Sequence, residues 1–93
     1  MVRFTEQARR QFLEGLAYIK IDNPGAAVRF KAKVQRTLAR LPMFPHSGRP
    51  IPEFPELPYR EVIVRPYRFF YRMADSAIWI VAVWHCTQLP RQE

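Results

Sequence analysis

The residues of this chain best equipped for chemistry are five arginines of its second half: Arg49, Arg60, Arg65, Arg68 and Arg72. A guanidinium is planar, permanently charged and donates hydrogen bonds in pairs, which suits carboxylates and phosphates. Arg68 and Arg72 interrupt an otherwise apolar and aromatic run, "PYRFFYRMADSAIWIVAVWHC", from Pro66 to Cys86. Near its end, His85 has an ordinary pKa close to neutrality and is the candidate for acid–base work; the alternative is a residue that caps the last strand. Other chemistry finds no support. Cys86 is the only cysteine, and with two distant histidines it makes no zinc set. Gly15, Gly25 and Gly48 form no phosphate-cradling loop. No cofactor and no metal are expected.

Strand alternation says how the arginines are aimed. If Tyr67 to Met73 is a strand, Tyr67, Phe69, Tyr71 and Met73 share one face, and Arg68, Phe70 and Arg72 share the other. The first set is expected under a helical layer, and the second away from it. Arg60 on the preceding strand and Arg49 in the loop before it are expected to join the second set. An exposed face with arginines around an aromatic side chain suits phosphates or an acidic peptide; the alternative is a solvated surface.

The elements that must hold this face follow from periodicity and punctuation. Val2-Arg3-Phe4 alternates as a short strand. Thr5 is a good N-cap and Glu6 suits the first turn of a helix. Ala8, Phe12, Leu16 and Ile19 then recur at spacings of 4, 4 and 3, with Leu13 and Ala17 widening the stripe. Gly15 weakens that helix and points to close packing. Asn23-Pro24 starts a second helix, with Ala27, Phe30, Val34, Leu38 and Leu41 on one face and Arg29, Lys31, Lys33, Arg36 and Arg40 elsewhere. So short a junction predicts an antiparallel hairpin.

Pro42 stops the second helix, and prolines 42, 45, 50, 52, 55 and 58 make the next stretch a stiffened loop without a helix or central strand. Such long loops are often functional. Strands follow at Tyr59–Val64, Tyr67–Met73 and Ala77–Trp84, separated by Arg65-Pro66 and by a tight turn at Ala74-Asp75-Ser76. The last strand shows no alternation, which predicts a central strand covered on both faces. Helices followed by strands give an α+β domain over residues 1–93.

Composition narrows the class. Ninety-three residues fit one domain, and 48% apolar content fits a globular one. The longest near-continuous apolar stretch, Ala77–Trp84, is far short of a membrane span. Met1–Glu6 carries no apolar signal region, and a lone cysteine suits a reducing compartment, so a cytoplasmic protein is expected. Fifteen cations, twelve of them arginine, against eight acids give a net charge of +7. That balance points to nucleic acid or an acidic protein partner, against the plainer reading of a solubilising surface.

The order of elements, the Asn23-Pro24 helix start, "PHSGRPIPE", "YREVIVRPYRFFYRM" and "VAVWHCTQLP" together resemble the RelE/ParE superfamily of toxins from type II toxin–antitoxin systems, over nearly the whole chain. The resemblance implies a two-helix hairpin on one face of a small, mainly antiparallel sheet of three or four strands. It implies a ParD-like or RelB-like antitoxin, a hetero-oligomer with it, and a role in growth inhibition and plasmid stabilisation. ParE-like members inhibit DNA gyrase; RelE-like members cut messenger RNA on the ribosome. Arg60 falls where the nucleases have a strand lysine, and Arg68 on one of their arginines. Val62 stands at their second lysine, Cys86-Thr87 near a further arginine, and Gln88–Glu93 holds no match to their terminal tyrosine. The resemblance therefore favours a ParE-like toxin with no catalytic residues, binding antitoxin or target through Arg49, Arg60, Arg65, Arg68, Phe70 and Arg72. The alternatives are a nuclease using Arg60, Arg68 and His85, or an inactive toxin-derived binding module.

Overall fold

The computed structural model describes residues 1–88. Five strands and two helices follow in the order β1 (Val2–Phe4), α1 (Glu6–Asp22), α2 (Pro24–Ala39), β2 (Arg49–Pro50), β3 (Arg60–Val64), β4 (Tyr67–Ala74) and β5 (Ala77–His85). They form one sheet in the order β1-β5-β4-β3-β2, in which β1 runs parallel to β5 and the other neighbours are antiparallel.

The helix boundaries sit where side chains replace missing backbone partners. Thr5 Oγ1 accepts from the Ala8 N–H at 3.1 Å and opens α1. Asn23 serves both helices: its N–H donates to Ile19 O at 2.8 Å, and its Oδ1 accepts from Ala26 N at 3.0 Å. Pro24 then occupies a first-turn position that needs no N–H. The hairpin buries Ala8, Phe30, Val34 and Leu38 against Val64, Phe69, Tyr71, Ile80 and Val83. Phe12, Phe30 and Phe69 form the aromatic centre, with ring centroids 6.0–6.5 Å apart.

Gly15 is explained by its neighbour. A Cβ there would lie 2.8 Å from Tyr67 Cζ, so the glycine lets the tyrosine ring pack against the helix backbone. Beyond the end of β1, the Thr5 backbone and a side chain of α1 take over the β5 edge: the Thr5 N–H donates to Ile80 O at 3.0 Å, and Gln11 Oε1 accepts from Val83 N at 2.7 Å.

Three expectations need correction. The sheet has five strands rather than three or four, because Val2–Phe4 joins it and the proline loop contributes Arg49–Pro50 at the edge, where proline is tolerated. The outer face of β5 is covered only in part, by the proline loop over Val81 and Trp84, and the strand's register is also broken by a bulge. Phe70 pairs with Ala82 but Tyr71 with Ile80, leaving Val81 as the extra residue. The bulge keeps Ile78, Ile80 and Val83 all on the helix side, while Trp79 and Trp84 are only half-buried on the other. Finally, Met73 is 48% exposed rather than packed under the hairpin. It lies near the β4–β5 turn, which projects into solvent through Asp75 and Ser76, both with positive φ, the pattern of a tight two-residue hairpin turn.

Candidate functional site

On the sheet face away from the helices, four charged side chains meet. Arg68 Nε donates to Glu61 Oε1 at 2.7 Å, and its two terminal nitrogens donate to Glu53 at 2.7 and 3.0 Å. Arg49 Nε donates to the other Glu61 oxygen at 2.6 Å. Strand pairing produces this set: Arg49 lies directly opposite Glu61, and Glu61 is one step diagonal from Arg68 through the Ile63–Arg68 and Glu61–Phe70 pairs. Two carboxylates thus match two guanidiniums. The Arg68 guanidinium also lies 4.9 Å from the Phe70 ring centroid. The Arg68 hydrogen bonds hold the Glu53 carboxyl below the usual carboxylate range. The same contacts, that with Glu53 above all, push the Arg68 guanidinium still further up.

These pairs fasten the proline loop across the outer face. At its start the loop is held from the helix side, where the Tyr71 hydroxyl donates to Pro45 O at 2.7 Å and accepts from Gly48 N at 3.0 Å. Arg60 donates to Gly48 O at 2.8 Å. The chain then passes around the β2 edge, buries Ile51 and returns over Phe70 and Trp84, enclosing an apolar space of ≈180 Å³ with Phe54, Leu57 and Tyr59.

The expected arginine surface is therefore altered. Arg68 is buried and Phe70 only 6% exposed, so neither faces solvent, because the loop covers both and Glu53 and Glu61 neutralise the charge. Arg60 does not join them: it pairs with Tyr71 and shares the helix-side face with Val62 and Val64. Arg49 does reach the outer face. Arg65 and Arg72 are exposed and make no ion pair among the described residues.

Nor do Arg60, Arg68 and His85 meet. Arg68 lies on the opposite face from the other two. Arg60 is opposite Tyr71 and His85 opposite Tyr67, so four residues of β4, about 13 Å, separate their levels. His85 sits edge-on to the Tyr67 ring at 5.2 Å, and its Nδ1 lies 2.7 Å from Thr87 Oγ1. Burial pushes the Tyr67 phenol up. The stretch 89–93, where a terminal tyrosine was sought, lies outside the described residues. Among the described residues no three His, Cys, Asp or Glu side chains gather as a metal set.

Sequence reasoning missed Glu53 and Glu61, although both lie in quoted segments. An acid placed in a strand between valine and arginine was the available signal. It also missed an open apolar groove of ≈610 Å³ between β1 and the two helices. Phe4, Phe12, Val34 and Leu38 line it, and Arg9 and Lys31 contribute cations. Leu13, read as widening the α1 stripe, is 50% exposed beside it.

Known proteins agree with this architecture. The family described as "ParE toxin of type II toxin-antitoxin system, parDE" matches residues 2–90. A protein of Sinorhizobium fredii (strain NBRC 101917 / NGR234), named "Putative toxin Y4kP", is 35% identical over 89 residues, 94% of this chain and 88% of its own. A chain from the solved structure "Chromosomal ParDE TA system from P. aeruginosa" superposes with a TM-score of 0.72 at 17% identity, covering 90% of this chain and 92% of that one. That likeness extends the agreement to the fold, and among the described residues no helix is long and apolar enough to cross a membrane. By its sequence, the chain belongs to the ParE toxin family of type II toxin–antitoxin systems.

Proposed function

We propose that this ParE-family toxin acts in the cytoplasm by inhibiting DNA gyrase, and that a cognate antitoxin neutralises it by forming a hetero-oligomer. The observation that carries the non-nucleolytic reading is the dispersal of Arg60, Arg68 and His85. Stabilising a scissile phosphate needs cations and a proton-transfer group converging within hydrogen-bond reach of one atom. Here Arg68 is occupied by Glu53 and Glu61, and His85 lies on the opposite face.

The open groove beside Leu13 supports the antitoxin part. Its floor is apolar, with Arg9 and Lys31 among its lining residues, so it suits a segment with apolar anchors and acidic flanks. Arg49, Arg65 and Arg72 remain the proposed cationic contacts to antitoxin or target on the sheet side.

Expression of the chain without antitoxin tests the reading. Arrest of DNA replication with an SOS response, ahead of any fall in translation, is expected. Translation stopping first, with messenger RNA cut on the ribosome, would establish the nuclease alternative. Growth unaffected by soluble, folded protein would establish an inactive binding module.

A further inference from the structure

We propose that α2 and its C-cap residue carry a docking stripe for the phosphate backbone of duplex DNA, made by Arg29, Lys33, Arg36 and Arg40. This contact goes beyond the toxin reading and does not rest on which enzyme the toxin stops.

The four side chains follow one another at intervals of 4, 3 and 4 residues, so on a helix they project within an arc of about 60°. All four are exposed. The stripe is about 16 Å long, at 1.5 Å per residue, and duplex DNA presents roughly nine backbone charges over such a length. Among the described residues no carboxylate pairs with any of the four, and the sequence holds no acid at all from Pro24 to Pro52. The contrast with the outer sheet face is sharp. There, Arg49 and Arg68 are matched one for one by Glu61 and Glu53.

Folding gives no reason for the stripe. Arg29–Lys33 and Arg36–Arg40 are like-charge pairs at i,i+4, which weaken a helix, and no acid stands in the first turn of α2. The residues that dock α2 on the sheet, Phe30, Val34 and Leu38, lie on another face of the helix.

The chemistry of the stripe selects among polyanions. It contains no aromatic side chain, so it offers nothing for unpaired bases to stack on, which single-stranded RNA and DNA readers require. It contains no apolar anchor between the cations, and protein interfaces draw their energy from such anchors. What remains is a straight row of donors for phosphate oxygens. Duplex DNA fits it better than duplex RNA, because its wide major groove lets a helix lie against the backbone.

The test is binding of a fluorescent 20-base-pair DNA duplex of arbitrary sequence by anisotropy, from about 50 to 200 mM salt. Four phosphate contacts give a slope of log K against log salt of about −3.6. The variant Arg29→Gln/Lys33→Gln/Arg36→Gln/Arg40→Gln is expected to lose about 3.6 of that slope, and each single substitution about 0.9. The single variants keep the test valid if the quadruple one fails to fold, as judged by circular dichroism. A control, Arg3→Gln/Arg10→Gln/Lys20→Gln, removes three exposed cations elsewhere and is expected to keep the slope within about 1. An unchanged slope in the stripe variants overturns the proposal, as does an equal loss in the control, which would reduce the effect to net charge. Tighter binding of a duplex RNA, or loss of binding to a poly-glutamate peptide but not to DNA, overturns the assignment to DNA.

Discussion

Arg68 and Glu61 lie on neighbouring strands with Nε and Oε1 2.7 Å apart, and their side chains are 7% and 0% exposed. So small a distance, so well shielded from water, turns a surface-looking arginine into a structural one. Removing one partner of a buried pair costs more than the pair contributes, because it strands the other charge. Arg68→Gln is therefore expected to cost about 3–5 kcal/mol. Arg72→Gln, two residues on and exposed, is expected to change stability by less than about 0.5 kcal/mol. Urea unfolding at constant m-value separates the two, and equal midpoints would mean that Arg68 is no more than a solvated surface residue.

The second expectation concerns acid. Arg68 depresses the Glu53 carboxyl from its ordinary 4.5, so the pair's contribution is complete above about 4.5 and is lost as pH falls through the lower folded value. Unfolding midpoints of wild type and Glu53→Gln are expected to differ most near pH 6 and to draw together as pH falls below about 4.5. A gap that stays constant over that range would mean that the carboxylate charge is not what holds the loop.

Alternation along Tyr67–Ala74 was enough to place Phe69 and Tyr71 under the hairpin and Arg68 and Phe70 on the opposite face. It could not show what covers the opposite face, because cover comes from a loop with no periodicity. Glu53 is 15 residues from Arg68, and only the route of the prolines around the β2 edge brings them together. Arg60 was misplaced for a local reason. Its face depends on the register between β3 and β4, which alternation within either strand leaves open. The β5 bulge was hidden in the same way, since an all-apolar strand has no polar residue to mark the step at Val81. The helices were legible because their caps, Thr5 and Asn23, act over three residues.

The third expectation turns on two glycines chosen for space rather than for backbone freedom. At Gly48 a Cβ would lie 2.6 Å from both the Glu61 carbonyl oxygen and the Tyr71 hydroxyl. Backbone cannot step aside cheaply, so Gly48→Ala is expected to cost about 2–3 kcal/mol by breaking the Gly48–Tyr71 and Arg60–Gly48 contacts. Gly15→Ala opposes a helix gain of about 1 kcal/mol with overpacking of about 1–3 kcal/mol against Tyr67. Its net effect is expected to be milder and to be relieved in Gly15→Ala/Tyr67→Leu. Thermal denaturation in which Gly15→Ala is the worse of the two would reverse this ranking.

The last expectation separates the two forces proposed to hold the antitoxin in the groove. Leu13 is half-exposed beside an apolar floor, and Arg9 and Lys31 add positive charge to the same groove. Apolar anchors act mainly after contact, by slowing dissociation, whereas peripheral charges act before it, by steering approach. Leu13→Asp is therefore expected to speed antitoxin dissociation by roughly ten- to a hundredfold, about 1.4–2.8 kcal/mol, with little change in association. Arg9→Gln/Lys31→Gln is expected to slow association at low salt and to match wild type at high salt, where screening has already removed the steering. Both variants should fold, since all three side chains reach solvent in the free toxin. Surface-based kinetics with the cognate antitoxin read the two effects independently. If Leu13→Asp dissociates as slowly as wild type, the antitoxin does not occupy this groove, and the sheet-side arginines Arg49, Arg65 and Arg72 become the next surface to test.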